Sequence, residues 1–366
     1  MKEDVLQWAA GNKSGKMISK ETLNHPELIG MVSGLDVYQH TREAYLRAYE
    51  ALGIDVINRV PIDNAPLPTP QGQTRLHPSL PYRYSALGLF DTAMRARYPC
   101  QGPEDVWELD VESVRLEDLV VPVPHSCKAE DVRLRRQALG PVGLYYSMLY
   151  TTLFMWGAEV LGWEVFMLAA ATDPQRFHDR FLLPCVEKSK RVVREMAEAS
   201  DSPFVFTHDD LASATGPVFS PRWYDEFIFP HYPEIWDEAR QRGKKVIFVA
   251  DGNMSAFVPK LAEAGADGLM FENPATPLES VLEPFGRPGR FLIGGVDTAI
   301  LTTGSSGEVR RMVLGLAEKV EGCHGFAISS CGGLHGNIPM ENLEAYFDAR
   351  VEIGATPMDW RTRRRA

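Results

Sequence analysis

From Pro203 onward the chain repeats one unit, and that repeat limits its fold more than any other feature. A short apolar run appears at Pro203–Thr207, then at Lys245–Val249, Asp267–Phe271, Phe291–Gly295 and Gly325–Ser329. Each has the length of a buried strand rather than of a helix. Helix-patterned segments separate them, at Pro221–Arg242, Ala256–Ala264, Leu278–Pro284, Gly307–Glu321 and Glu341–Val351. Ser220-Pro221 and Ser305-Ser306 punctuate helix starts, and Gly243 and Gly265 punctuate ends. Strands that alternate with helices make parallel pairs, because a parallel connection needs a crossover.

Five such units, with room upstream for others, favour a closed α/β architecture, the (β/α)8 TIM barrel, over an open sheet. Upstream, Thr41–Leu52 reads as a helix and Ile54–Val60 as a strand. Gly140–Tyr146 is a further strand, and Ala158–Ser200 holds helix broken near Asp173-Pro174. Pro61–Arg97 is rich in Pro, Tyr and Arg without a period and reads as a loop or lid. A length of 366 residues suggests two domains by rule of thumb, but barrels are the exception to it. The expectation is therefore one domain over 1–366, with 1–60 forming an N-terminal extension and the first βα elements.

Charge and cysteine usage narrow the partners. The 38 Lys and Arg against 49 Asp and Glu leave a net charge of -11, which suits no nucleic-acid footprint. The one basic cluster, Arg361 with Arg363, Arg364 and Arg365, is too short to reverse that. Cys100, Cys127, Cys185, Cys323 and Cys331 form no CxxC pair, so they read as reduced thiols in a cytoplasmic protein. The N-terminus has no apolar core of signal-peptide length. Ala138–Ala158 carries no charge, but Gly140, Pro141 and Gly143 open it and tyrosines sit at its middle. A bilayer span places tyrosines at its ends, so this stretch reads as a buried strand entering a buried helix, and no membrane is expected.

The residues that follow each strand carry the chemistry. They are His208-Asp209-Asp210, Asp251-Gly252-Asn253, Glu272-Asn273, Asp297-Thr298, and Ser330 through Cys331, His335 and Asn337. Parallel barrels build their sites from these loops. His208, Asp210 and Asp251 are the candidates for proton chemistry, and His208, Asp251 and Cys331 for a metal. Asn253, Glu272, Asp297, His335 and Asn337, with Tyr146 and Tyr150 as an apolar wall, are the candidates for substrate contact. Gly252, Gly332, Gly333 and Gly336 would let the backbone approach a ligand. Structural readings stand beside these: Asp209, Asp210 or Asp297 as helix N-caps, Cys331 as a small buried residue, and His178 and His231 as structural histidines. Glu164, in an apolar helix, reads as paired. No dinucleotide fingerprint, phosphate loop, HExxH or nucleophile elbow occurs, which sets aside nicotinamide and kinase chemistry.

In these same loops the chain resembles the uroporphyrinogen decarboxylase superfamily. The matching stretches are GPVGLYYSMLY and WGAEVLGWEVFMLAAATDP, then HDDLASATGPVFSPRWYDEFIFPHYPEIWDEARQRGKKVIFVADGN, FLIGGVDTAILTTGSSGEV and SSCGGLHGNIPMENL. The resemblance covers about residues 139–350 and implies a TIM barrel. The decarboxylases carry an arginine-bearing N-terminal segment that binds substrate carboxylates; nothing like it precedes Pro61, and Arg59, Arg75 and Arg83 do not form it. The corrinoid-dependent methyltransferases hold zinc through a His-x-Cys pair and a Cys in the last loop. Here Val249 and Asp251 stand at the pair, and Cys331 lies at or beside the third position.

The N-terminal third is closer to the methyltransferase branch. The resemblance therefore implies transfer of a methyl group from a small, methoxylated or similar donor to a separate corrinoid protein. The cobalamin-type corrinoid would be carried by that partner, zinc is a candidate metal, and a homodimer is the usual assembly. Two alternatives remain open. One is a decarboxylase acting on a tetrapyrrole or another carboxylate, which needs basic residues that the strand-end loops scarcely supply. The other is a non-catalytic binding member of the fold.

Overall fold

The computed structural model describes residues 3–62, 98–115, 128–330 and 332–361, with the backbone of Arg75–His77, Leu80–Tyr84, Met94–Arg95 and Val120–Val121. Eight parallel strands pair in chain order. They are β1 (Ile18–Ser19), β2 (Val56–Ile57), β3 (in two pieces, Leu144–Tyr145 and Ser147–Leu149) and β4 (Phe204–His208). β5 (Lys245–Ala250), β6 (Gly268–Phe271), β7 (Phe291–Val296) and β8 (Phe326–Ser330) complete the set. The ladders from β3 through β8 are continuous, and β8 returns to β1 through Ile18↔Ala327 and Ser19↔Ile328. β2 joins β3, and a single parallel bridge, Lys20↔Val56, joins β1 to β2. The strands form a (β/α)8 TIM barrel, with the N-terminal residues as an addition at its base.

Side chains alternate across the strands, so one set fills the barrel and the other meets the helices. The interior set includes Ile18, Val56, Leu144, Tyr146, Phe204, Phe206, Ile247, Val249, Met270, Phe291, Ile293 and Ala327. Trp8, on the helix Glu3–Ala9, closes the end at which the strands begin; its ring lies 5.2 Å from those of both Phe204 and Phe291. The outward set packs on helices, as where Trp236 Nε1 donates to Thr207 Oγ1 at 3.1 Å. The seam between β1 and β8 is tied by buried Glu21, which accepts from Ser330 N–H and from Tyr346 Oη and pairs with Arg350.

The helix over Thr41–Leu52 has the bounds its sequence predicts. The expected helix at Pro221–Arg242 is instead Pro221–Phe227, a 3-10 turn at Phe229–His231, and Tyr232–Arg240. Pro230 and Pro233 lack the N–H groups that a continuous helix would use there. The expected strand Ile54–Val60 shortens to Val56–Ile57. Asp173 caps the break near Pro174 by accepting from Arg176 N–H at 3.0 Å. Phe154–Thr172 has the length and apolar composition of a bilayer span, yet 67% of its most apolar window is buried in this fold. Glu164 lies on the exposed face of that stretch, which corrects its reading as a buried, paired acid. Most of Pro61–Arg97 lies outside the described residues; within it, the backbone of Arg75–His77 pairs antiparallel with Leu80–Tyr84.

Candidate active site

The ends of β4 and β5 bring three of the predicted residues together. Ligand-capable atoms of His208, Asp210 and Asp251 all lie within 4.8 Å of one another. His208 is the last residue of β4 and continues the inward series Phe204, Phe206. Its Nδ1–H donates to the Tyr150 carbonyl at 2.6 Å, and its ring stacks on Tyr150 with centroids 4.4 Å apart. That bond turns Nε2 toward Asp210, whose Oδ1 lies 3.1 Å away. The same oxygen accepts the Asp251 N–H at 2.9 Å, so Asp210 joins the two loops. Asp251 is the most exposed residue of the three.

The local electrostatics separate the three groups. Burial alone would pull His208 down, but the charge and hydrogen bond of Asp210, with Asp251 behind it, outweigh that and lift its pKa to about 9. Burial pushes Asp210 up, and the His208 charge and hydrogen bond more than reverse it, leaving Asp210 below the usual carboxylate range. Burial and the Asp210 charge push Asp251 up to about 6, with a smaller push from Glu272. At neutral pH the geometry therefore offers an imidazolium, a carboxylate beside it, and an acid that still exchanges its proton near working pH.

The remaining predicted residues fall into different places. Glu272 stands at the end of β6 and accepts the Gly252 N–H at 2.9 Å, close enough for its charge to act on Asp251. Asn253 accepts from Ser255 N–H at 3.2 Å and shapes the turn after β5. His335 and Asn337 lie on the loop after β8, where Asn337 N–H reaches His335 Nδ1 at 3.3 Å. Asp297 caps the helix that follows β7, accepting from Ala299 N–H at 2.8 Å and Ile300 N–H at 3.2 Å, which bears out the capping alternative. Tyr146 is 1% exposed and packs on Phe206, so the structure moves it from the donor wall into the barrel core. Gly252, at φ +77°, meets the Ala212 carbonyl where a Cβ would be; its conformation serves backbone packing rather than a ligand. Cys331 lies outside the described residues.

Asp209 takes the capping role that its sequence left open, and buried Lys20 is a charged group that the sequence reading missed. Asp209, at 0% exposure, accepts from Leu153, Phe154 and Met155 N–H and from Tyr232 Oη, so it caps the helix of the preceding unit. Lys20 directly follows β1 at 2% exposure, with its Nζ donating to Thr22 Oγ1 at 3.2 Å. Its charge acts on both Asp251 and Glu21.

Comparisons with known proteins agree with this fold. The family model for uroporphyrinogen decarboxylase (URO-D) matches residues 137–353. A methyltransferase from Methanosarcina mazei superposes with a TM-score of 0.63 at 17% identity, covering 95% of this chain and 97% of that one. An endo-β-1,4-xylanase from Gloeophyllum trabeum aligns at a TM-score of only 0.40 and 11% identity, covering 61% of this chain and 79% of its own. No curated protein matches the sequence.

Proposed function

This chain belongs to the uroporphyrinogen decarboxylase family, and we propose that it is a methyltransferase moving a methyl group from a small donor to the corrinoid of a separate partner protein. The observation that carries this reading is the His208–Asp210–Asp251 cluster at the open end of the barrel. A methyltransferase with the same overall fold, from Methanosarcina mazei, supports methyl transfer as the reaction type.

The cluster suits the hard part of that reaction. As the methyl carbon leaves its oxygen, the oxygen gains negative charge and departs easily only if it gains a proton. Asp251 is the group to supply it, since its pKa of about 6 lies near neutrality and it is the most exposed residue of the cluster. His208, held by Tyr150 and paired with Asp210, keeps positive charge at the same place and stabilises the departing oxygen electrostatically. The balance is one methyl to the acceptor, and one proton from Asp251 to the released oxygen.

The same residues fit the metal that the family resemblance implies. His208 Nε2 and one oxygen each of Asp210 and Asp251 would hold it, an imidazole and carboxylate set within the range that zinc accepts. The Nδ1–H bond to a backbone carbonyl is the usual support of a metal-binding histidine. When bound, such an ion supplies Lewis acidity at the leaving atom.

One observation favours the second reading, decarboxylation of a carboxylate substrate: Lys20 supplies a cation that the loops alone do not. The test is metal analysis of the purified protein together with a spectral assay of cob(I)alamin and a panel of methoxyaromatics. Methylcobalamin formed by the wild type and lost in Asp251→Ala supports methyl transfer through this site. No methyl transfer from any donor, with carbon dioxide released from carboxylates, replaces it with the second reading.

A further inference from the structure

We infer that His178 and His231 form a metal site on the helical layer of the barrel, which takes an imidazole-preferring divalent ion such as zinc. The site shares no residue with the His208 cluster, and the inference does not rest on methyl transfer.

Both rings stand where a short helical turn runs into a longer helix. His178 opens the turn His178–Leu182 that leads into Leu183–Ala199, in the unit after β3. His231 closes the 3-10 turn Phe229–His231 ahead of Tyr232–Arg240, in the unit after β4. The two longer helices pack on each other, with Arg194 paired to Glu238 across them. The rings meet tip to tip: the two Nε2 atoms lie 2.9 Å apart and the ring centroids 5.1 Å. Behind each ring stands a carboxylate. His178 Nδ1 lies 2.8 Å from Asp179 Oδ1, and His231 Nδ1 lies 2.7 Å from Glu234 Oε1.

Counting protons along these four groups shows why a cation belongs between the rings. Asp179 Oδ1 also accepts from Gln175 Nε2 at 2.9 Å, and the second oxygen of Glu234 faces Lys190 Nζ at 3.7 Å, so both carboxylates act as acceptors. The bond from His178 holds Asp179 below the ordinary carboxylate range. An ionised carboxylate has no proton to give, so each Nδ1 carries the hydrogen of its bond. In neutral rings that leaves a bare lone pair on each Nε2, and two lone pairs 2.9 Å apart repel. A shared proton removes the conflict in metal-free protein, and a metal ion bound to both nitrogens removes it equally. An Nδ1–H held by a carboxylate is the usual support of a metal-binding histidine, and here both ligands have one. Zinc binds imidazole nitrogen at about 2.0–2.1 Å, so its tetrahedral angle sets two such nitrogens about 3.3 Å apart. The rings need to part by only a few tenths of an ångström. The two side chains are 16% and 12% exposed, so an ion enters from solvent and water fills its other positions. Bound there, it ties the unit after β3 to the unit after β4. Tyr232, next to His231, donates to Asp209, so that tie reaches the strand end that carries His208.

The experiment is zinc calorimetry on the intact protein, compared with His178→Gln and His231→Gln, each of which removes one ligand. Each variant is expected to bind one zinc ion fewer per chain than the wild type. Asp251→Ala should keep this ion and lose it when combined with His178→Gln, which separates the site from the strand-end cluster. Zinc should also raise the melting temperature of Asp251→Ala by a few degrees, and leave that of the double variant unchanged, because only a folded site binds the ion. Copper(II), titrated into the wild type to two equivalents, reads the same point without any variant. Its electron paramagnetic resonance spectrum should contain a species with two imidazole nitrogens, whereas the His208 cluster offers one. Zinc uptake that both histidine variants keep in full overturns the inference. So does a copper spectrum with a single imidazole nitrogen per ion.

Discussion

Asp210→Asn removes the charge that keeps His208 protonated, and the consequence can be sized. His208 is buried, and burial alone would depress its pKa; its rise to about 9 comes chiefly from Asp210, then Asp251. The gap between about 9 and the ordinary 6.5 corresponds to roughly 3 kcal/mol, at about 1.4 kcal/mol per pKa unit. Because the folded value lies above the unfolded one, this stabilisation is complete below about pH 6.5 and fades as the pH rises through about 9. In metal-free Asp210→Asn the burial effect loses its main opponent, and His208 should titrate well below about 9. The loss of stability between pH 6 and pH 9 should shrink correspondingly. Histidine NMR titration reads the first, with His208 among the nine histidines identified by its absence in His208→Gln, and urea unfolding at the two pH values reads the second. A His208 that still titrates near 9 in Asp210→Asn would refute the assignment of its charge to Asp210.

Three further outcomes follow. If Asp251 donates the proton, the reaction needs its protonated form, so kcat/KM should fall as pH rises through about 6, and Asp251→Asn should remove that limb and lower the rate by about 10²-fold or more; a pH–rate series on both proteins checks it. Trp8→Ala empties the base of the barrel and should cost about 3–5 kcal/mol of unfolding free energy by urea denaturation, while the folded fraction keeps its activity. Added zinc should bind the wild type and displace the proton from His208, and Asp251→Ala should weaken that binding in a calorimetric titration.

The fold was legible where apolar runs were long and flanked by helices. β4 to β8 match the runs read from Pro203 onward to within a residue or two, because interior strands must be apolar on both faces. The first three strands were harder. β1 and β2 are two residues each and meet through one bridge, so their pairing leaves almost no pattern. The location of His208, Asp210 and Asp251 was legible because a strand end is a position in sequence as well as in space. Their division of labour was not, since it depends on Asp210 Oδ1 reaching a backbone N–H 41 residues away. Asp209 was ambiguous for a similar reason: it caps a helix 54 to 56 residues before it, beyond any local capping motif. Lys20 escaped because a lone lysine beside a two-residue strand carries no periodicity, and Tyr146 because alternation gives the facing of a side chain but not its depth.

The central claim is that a methyl group leaves its donor at this cluster for a corrinoid. Its most direct test is a single turnover with a methoxyaromatic carrying a deuterated methyl group and cob(I)alamin, followed by mass spectrometry of the corrinoid. The account predicts that the intact trideuteromethyl group appears on the corrinoid with wild-type protein, and about 10²-fold more slowly with Asp251→Asn. An unlabelled corrinoid across a donor panel, or label transferred at the same rate by Asp251→Asn, would contradict it.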